Sequence, residues 1–202
     1  MAFTFFFRDQ KPLEHAVHFL KTSAAGRARV RIWDAGCAMG QEPYTLAILL
    51  AENMGQFAFR NVQIYATDYD APLLKTVEEG AYPWEELQRI PGELFEKYFE
   101  KNCREGWFRV TDLIKNRVTT SHHDLLTLSP VQSGFSLIVC KNVLLHFSYE
   151  QRIDVIRMFH TALEPQGILA MEHTQKMPEE LSSHFEQLVG DAQIFRRREG
   201  AA

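Results

Sequence analysis

An apolar run that stops at an acidic residue, a turn holding two glycines four apart, and a helical apolar repeat constrain this chain most. They occur together at residues 29–50, RVRIWDAGCAMGQEPYTLAILL. Val30, Ile32 and Trp33 read as a short buried strand that ends at Asp34. The helix after the turn has Pro43 in its first turn, where a missing N–H breaks no hydrogen bond, and Gly55 beyond its end. Helices and strands then alternate along much of the chain. That alternation calls for a mostly parallel sheet covered by helices, with right-handed crossovers.

The repeats of this unit are readable by their spacing. PLEHAVHFLKTSA (12–24) carries Leu13, Ala16, Val17 and Leu20 at helical intervals. NVQIYATDYD (61–70) is a strand ending at Asp68, and APLLKTVEEGAY a helix closed by Gly80. FSLIVCKN (135–142) is a strong strand. In SYEQRIDVIRMFHTALEP, Ile153, Ile156, Phe159 and Leu163 share one helical face, with Ser148 and Gln151 placed as a capping box. GILAMEH is the next strand, PEELSSHFEQLV (178–189) reads as a last helix, and AQIFRRR as a last strand. Arg196, Arg197 and Arg198 read as its solvated edge.

The middle breaks the rhythm. PWEELQRIPGELFEKYFEKN reads as two short helices separated by Pro91-Gly92, and GWFRVTDLIKNRVTTSHHDLL as strand, turn, strand. Its second half serves as a third parallel strand. Residues 81–116 are expected to be an inserted small subdomain within a single domain of 202 residues, a length that buries a real core.

Charge is nearly balanced, at a formal net of -4. No basic stripe marks a nucleic-acid binder. Cys37, Cys103 and Cys140 are odd in number and lack metal-ligand spacing, so they read as reduced thiols, and no metal site is expected. His122-His123 is a weak pair, because adjacent strand residues point to opposite faces. No apolar run reaches the roughly 20 residues of a membrane span. MAFTFFFRDQ is too short and too soon charged for a signal peptide. A cytoplasmic protein without membrane insertion is the expectation.

In sheets of this kind ligands bind at the carboxyl ends of the strands. Asp34 and Asp68 lie at two such ends. Gly36 and Gly40 let the backbone turn tightly and approach a ligand, while Ala38 stands where a dinucleotide turn has its central glycine. That argues against NAD or FAD and for a ligand without a phosphate, S-adenosylmethionine (SAM). Asp34 would accept its ammonium, Asp68 its ribose hydroxyls, and Asp124, after the third strand, its adenine amine. Cys37 and Ala38 in the turn, and Tyr69 beside Asp68, complete this set.

Several stretches together carry a resemblance. They are TFFFR (4–8), DAGCAMGQEPYTLA (34–47), YATDYD (65–70), EEGAYPWEEL (78–87), KYF (97–99), CKNVLLHF (140–147) and ALEPQGILAMEHTQ (162–175). In this order they resemble the catalytic, C-terminal domain of the CheR family of chemotaxis-receptor glutamate methyltransferases. The resemblance implies an α/β, Rossmann-like methyltransferase fold: a seven-stranded, mostly parallel sheet with helices on both faces and a small inserted subdomain. It implies SAM as methyl donor, S-adenosylhomocysteine (SAH) as product, and a chemoreceptor glutamate as acceptor.

By the same resemblance, Thr4 and Arg8 match a segment folded over the cofactor, Glu42 an acid following the glycine loop, and Asp68 the ribose-binding acid. Asp124-Leu125 falls where Asn-Leu lies near adenine, and Lys141-Asn142 where Arg-Asn is usual. Residues 81–116 overlap a subdomain that docks a receptor tail in some members. The chain departs from the pattern in four ways. It begins almost at the cofactor-lid motif, so the usual helical N-terminal domain is expected to be absent. Lys141 replaces arginine, His146 replaces tyrosine and Gln41 replaces a frequent glutamate.

A carboxylate acceptor is already an anion, so it needs a cation to orient it rather than a base. Arg8 and Lys141 are the candidates, although lysine offers a point charge where arginine offers a fork. A hydroxyl or nitrogen acceptor would need a base, and His146 is placed for that. Three readings follow: methylation of a protein glutamate, methylation of a small molecule with His146 as base, or a non-catalytic SAM-binding module.

Overall fold

The computed structural model describes residues 4–199. The chain runs through α1 (Gln10–Ser23), β1 (Val30–Ala35), α2 (Gln41–Phe59), β2 (Val62–Asp68) and α3 (Ala71–Glu79). The middle section holds β3 (Ala81–Pro83), α4 (Trp84–Leu87), α5 (Gly92–Tyr98), β4 (Phe99–Lys101), β5 (Trp107–Val110) and α6 (Asp112–Lys115). Then come β6 (Val118–His122), β7 (Phe135–Cys140), α7 (Tyr149–Ala162), β8 (Leu163–Met171), β9 (Phe185–Gln187) and β10 (Ile194–Arg197).

Seven strands form one sheet in the order β6-β2-β1-β7-β8-β10-β9. The first five run parallel, and β10 lies antiparallel to both β8 and β9. This is the α/β, Rossmann-like arrangement expected. Order reverses beside β1, between β2 and β7, so the loops after these strands face one crevice.

The period of two along each strand divides the core between the faces. Ile32, Leu137, Val139, Ile168 and Ala170 pack with α1, α2 and α3. Their neighbours Trp33, Ile138, Cys140, Leu169 and Met171 pack with α7 on the other side. β7 is buried along its whole length, as its unbroken apolar run requires of a central parallel strand. The capping box at the start of α7 is formed: Gln151 N–H donates to Ser148 Oγ, and Ser148 N–H to the Gln151 side chain.

Three expectations need correcting. The stretch 178–189 is not a helix. A 3-10 turn, Glu179–His184, leads into β9. Ser182 bonds back to the Glu179 carbonyl at 2.6 Å, competing with helical pairing, and Phe185 is buried beside Phe195. β10 therefore lies inside the sheet, and β9 is its edge. Of the three arginines, Arg196 faces Glu186 at 3.5 Å and Arg197 donates to the Leu163 carbonyl. Helix α2 also does not end at Gly55; it breaks there, at φ 76°, and adds a short turn to Phe59.

Residues 81–110 include a second, three-stranded antiparallel sheet, β3-β5-β4. Around it the Phe95 ring stacks on Phe99 and meets Trp84 and Phe108 edge-to-face, and Trp84 leans on Phe108. No helix among the described residues is long and apolar enough to cross a membrane.

Candidate functional site

The loop between β1 and α2 is locked by its neighbours. The N–H groups of Gly36 and Cys37 both donate to the Thr67 carbonyl at the end of β2, at 2.8 and 2.9 Å. Gly36 has φ 103°, and a Cβ there would lie 2.2 Å from Val143 Cγ2. Gly40 has φ 97°, and a Cβ there would lie 2.6 Å from the Tyr82 hydroxyl oxygen. Both glycines are thus required by conformation and by close approach. The Tyr82 hydroxyl donates to the Met39 carbonyl at 2.7 Å. Ala38 also takes a left-handed φ, 47°, and its N–H donates to Asp68 Oδ2 at 2.8 Å. Asp68 Oδ1 accepts from Asp70 N–H at 2.9 Å. Asp68 is therefore a fixed acceptor, with lone pairs left for a ligand.

Beside this loop is a cavity of about 360 Å³. Gly36, Asp68, Asp124, Leu125 and Val143 are among its wall residues, and Tyr69 and His146 flank it. Leu125 is buried, whereas Tyr69 and His146 are exposed. Asp124 caps a 3-10 turn, Leu125–Thr127, by accepting the Leu126 N–H at 2.9 Å. Apolar walls with carboxylates at two edges match a nucleoside: a flat apolar base with a polar rim, and vicinal hydroxyls.

The other side of the loop is charged. Asp34 is fully buried, and neither carboxylate oxygen has a hydrogen-bond partner. Burial pushes its pKa well above the usual carboxylate range; Glu42 and Asp68 add to the rise and Lys141 opposes it. Lys141 is buried, with its ammonium 2.9 Å from Glu42 Oε2 and 3.4 Å from the Arg8 carbonyl. Asp34 thus lies among like charges, Glu42 and Asp68, with the Lys141 ammonium bonded to Glu42. A buried carboxylate without a partner is costly unless a cation or donor arrives to meet it.

The segment at residues 4–8 closes over this end. Thr4 is half-buried. Phe6 is fully buried, with its ring edge-to-face on Tyr82 at 5.0 Å and on Phe99 at 5.5 Å. Phe7 N–H donates to Thr45 Oγ1 at 3.0 Å. Arg8 Nη2 donates to Asn142 Oδ1 at 3.1 Å, which leaves the Asn142 amide N–H groups for another acceptor.

The structure places two of the expected residues in particular surroundings. Lys141 was expected to orient an acceptor, but its ammonium is held by Glu42 and the Arg8 carbonyl. His146 was expected beside the reacting groups; it lies in a 3-10 turn, Leu144–His146, on the wall of the nucleoside-sized cavity. Cys37 contributes its backbone rather than its thiol, whose pKa burial raises strongly. Thr67, Tyr82 and Val143 hold the loop and were not foreseen; each meets it from a distant part of the chain.

The residues present fit SAM on the structure's own terms. An orphaned buried carboxylate faces the need of an ammonium, an acidic surplus suits a sulfonium, and the cavity beyond suits adenosine. No group of histidine, cysteine and carboxylate side chains suited to a metal ion occurs among the described residues.

The sequence model of the family described as "CheR methyltransferase, SAM binding domain" matches residues 2–194. Chemotaxis protein methyltransferase 1 of Pseudomonas aeruginosa is 32% identical over 202 residues, covering 96% of this chain and 73% of that protein. The chemotaxis protein methyltransferase of Borreliella burgdorferi is 30% identical, covering 85% of this chain and 63% of that protein. That of Salmonella typhimurium is 32% identical, covering 85% and 59%. The chain thus spans between 59% and 73% of the length of these relatives.

Proposed function

Since the chain belongs to the CheR methyltransferase family, we propose that it esterifies a glutamate side chain of a chemoreceptor-type protein with the methyl group of SAM. The single observation that carries the cofactor end is the acidic surplus around Lys141, with Asp34 unpartnered. SAM, when bound, supplies a methyl carbon activated by its sulfonium.

The protein's own groups supply binding and alignment. Asp68 accepts from the ribose hydroxyls, Asp124 and Leu125 hold the adenine, and Asp34 meets the ammonium. Gly36, Cys37, Ala38 and Gly40 shape the loop, and Tyr69 borders the ribose. Thr4 and Arg8 close over the amino-acid end and exclude water, which favours alignment of the reacting atoms. The acceptor carboxylate is anionic at neutral pH and needs no base. The free amide N–H groups of Asn142, fixed in orientation by Arg8, hold one of its oxygens while the other faces the methyl. A receptor's cytoplasmic region is the acceptor in this reading, which places the protein in the cytoplasm.

The test is incubation with methyl-labelled SAM and membranes carrying candidate receptors. A glutamate ester releases its label as methanol in mild base. Label that stays bound through base treatment would replace this reading with transfer to nitrogen or a hydroxyl.

A further inference from the structure

Parallel strands begin at one edge of a sheet and end at the other. Asp34 and Asp68 lie at the carboxyl edge, near the ends of β1 and β2. At the opposite edge, where β1, β2 and β6 begin, is another cavity, of about 350 Å³. That is close to the 360 Å³ of the nucleoside-sized one. Its wall includes Arg29, Arg60 and Arg117, together with Asn61, Gln63 and Tyr65, and holds no carboxylate.

Backbone bonds fix where these arginines stand. Arg117 Nη1 donates to the Arg60 carbonyl at 2.7 Å, and the Arg117 carbonyl accepts from Ile64 N–H at 2.7 Å. Arg29 lies on a segment tied twice to Asn61. Val30 N–H donates to the Asn61 carbonyl at 2.9 Å, and the Asn61 side-chain amide to the Arg27 carbonyl at 3.1 Å. The guanidinium groups of Arg29 and Arg60 make no hydrogen bond among the described residues, and none of the three arginines there pairs with a carboxylate. A fourth, Arg31, stands opposite Gln63 in the β1–β2 register, so it adds its charge to the same face. Its Nε is buried without a partner.

Elsewhere arginines meet acids: Arg27 meets Glu164, Arg109 meets Glu100 and Arg196 meets Glu186. The chain has 26 acidic and 22 basic side chains, so an unpaired set does not arise from a basic surplus. Like charges held together repel unless an anion meets them. The connection from β6 to β7, residues 123–134, holds only a 3-10 turn and supplies no helix to cover this end. Arg29 and Arg60 are exposed.

We propose that this cavity binds a nucleotide by its phosphates, at the edge of the sheet opposite the methyl-donor site. Arg29, Arg60 and Arg117 take the phosphate oxygens, in the forked geometry that guanidinium groups offer. The amide nitrogens of Asn61 and Gln63 are used, on the Arg27 carbonyl and on the Arg117 carbonyl and Thr119. Their oxygens and the Tyr65 hydroxyl are left for the sugar or base. The site stands independently of the methyltransferase reading.

ADP is the probe, titrated calorimetrically into the full chain saturated with SAH, so that the donor site is filled. It should bind at one site, more weakly as salt is raised, and adenosine should give no binding heat. Arg29→Gln and Arg60→Gln should each weaken ADP by about 10-fold while leaving SAH binding unchanged. Lys101→Gln, which removes an exposed cation on the insertion, should leave ADP binding unchanged. Absence of saturable ADP binding, equal affinity in both arginine variants, or an equal loss in Lys101→Gln overturns the site. So does an ADP affinity that falls as SAH is raised, which would put ADP in the donor site.

Discussion

Asp34→Asn separates what the buried acid does for the fold from what it does for the ligand. The substitution keeps the shape and removes the charge. Without ligand, Asp34 holds its proton more tightly in the folded chain than in the unfolded one, because burial and the neighbouring acids raise its pKa. Its contribution to stability is therefore present below the unfolded pKa and declines as pH rises toward the folded one, by at most about 1.4 kcal/mol per pH unit. Asparagine has no such slope, so the ligand-free variant should gain on the wild type as pH rises. Ligand binding has the opposite sign. The ammonium of SAH favours the ionised carboxylate, so binding expels a proton and affinity climbs with pH, by up to about 10-fold per unit. At a pH where Asp34 is ionised in the complex, a charge-assisted hydrogen bond of about 1.5–3 kcal/mol is at stake, or roughly 10- to 150-fold in Kd. Calorimetric titration of SAH across neutral pH, in buffers of different ionisation enthalpy, reads the affinity and the proton release together. Scanning calorimetry of the ligand-free forms reads the stability. Wild-type affinity independent of pH, together with near-equal binding by Asp34→Asn, would refute the reasoning.

Gly36→Ala should destabilise the chain by about 2–4 kcal/mol, because it combines a left-handed φ with the clash at Val143. Adding Val143→Ala should recover the clash and leave about 1–2 kcal/mol, which denaturant titration of the double-mutant cycle measures. Lys141→Met should cost about 3–5 kcal/mol by stranding Glu42 beside Asp34, and Glu42→Gln in the same chain should restore much of it. Asp68→Ala should weaken SAH by about 1–3 kcal/mol, whereas Asp68→Asn, which still accepts the Ala38 N–H, should weaken it less. Unchanged SAH affinity in Asp68→Ala would remove the ribose role.

What the sequence made legible was local. Asp34 and Asp68 at strand ends, the glycine turn and the capping box at Ser148 are each written within a few residues, so their positions were readable before any contact was known. The partners of these residues were not. Lys141 meets Glu42 across 99 positions, and Val143 meets Gly36 through packing alone. A lysine at a predicted active site therefore read as a free cation. Arg29, Arg60 and Arg117 gave no signal, because scattered arginines form no basic run until the strands bring them together. The stretch 178–189 misled for the opposite reason. Its helical spacing is real, but Ser182 bonds locally and Phe185 is needed at the sheet edge.

Tyr82 stands at the root of the inserted β3-β5-β4 sheet, yet it reaches outside it. Its ring packs against Phe6, and its hydroxyl holds the carbonyl of Met39. The insertion is thus grafted onto the strap of residues 4–8 through Tyr82 and Phe99, which both pack on Phe6, and onto the glycine loop through the Tyr82 hydroxyl. A chimera that exchanges the whole insertion at residues 81 and 110 would carry away the peg that seats the strap. One that exchanges residues 84–108 should keep the cofactor end intact only if Phe99 is retained with Tyr82, since both pack on Phe6.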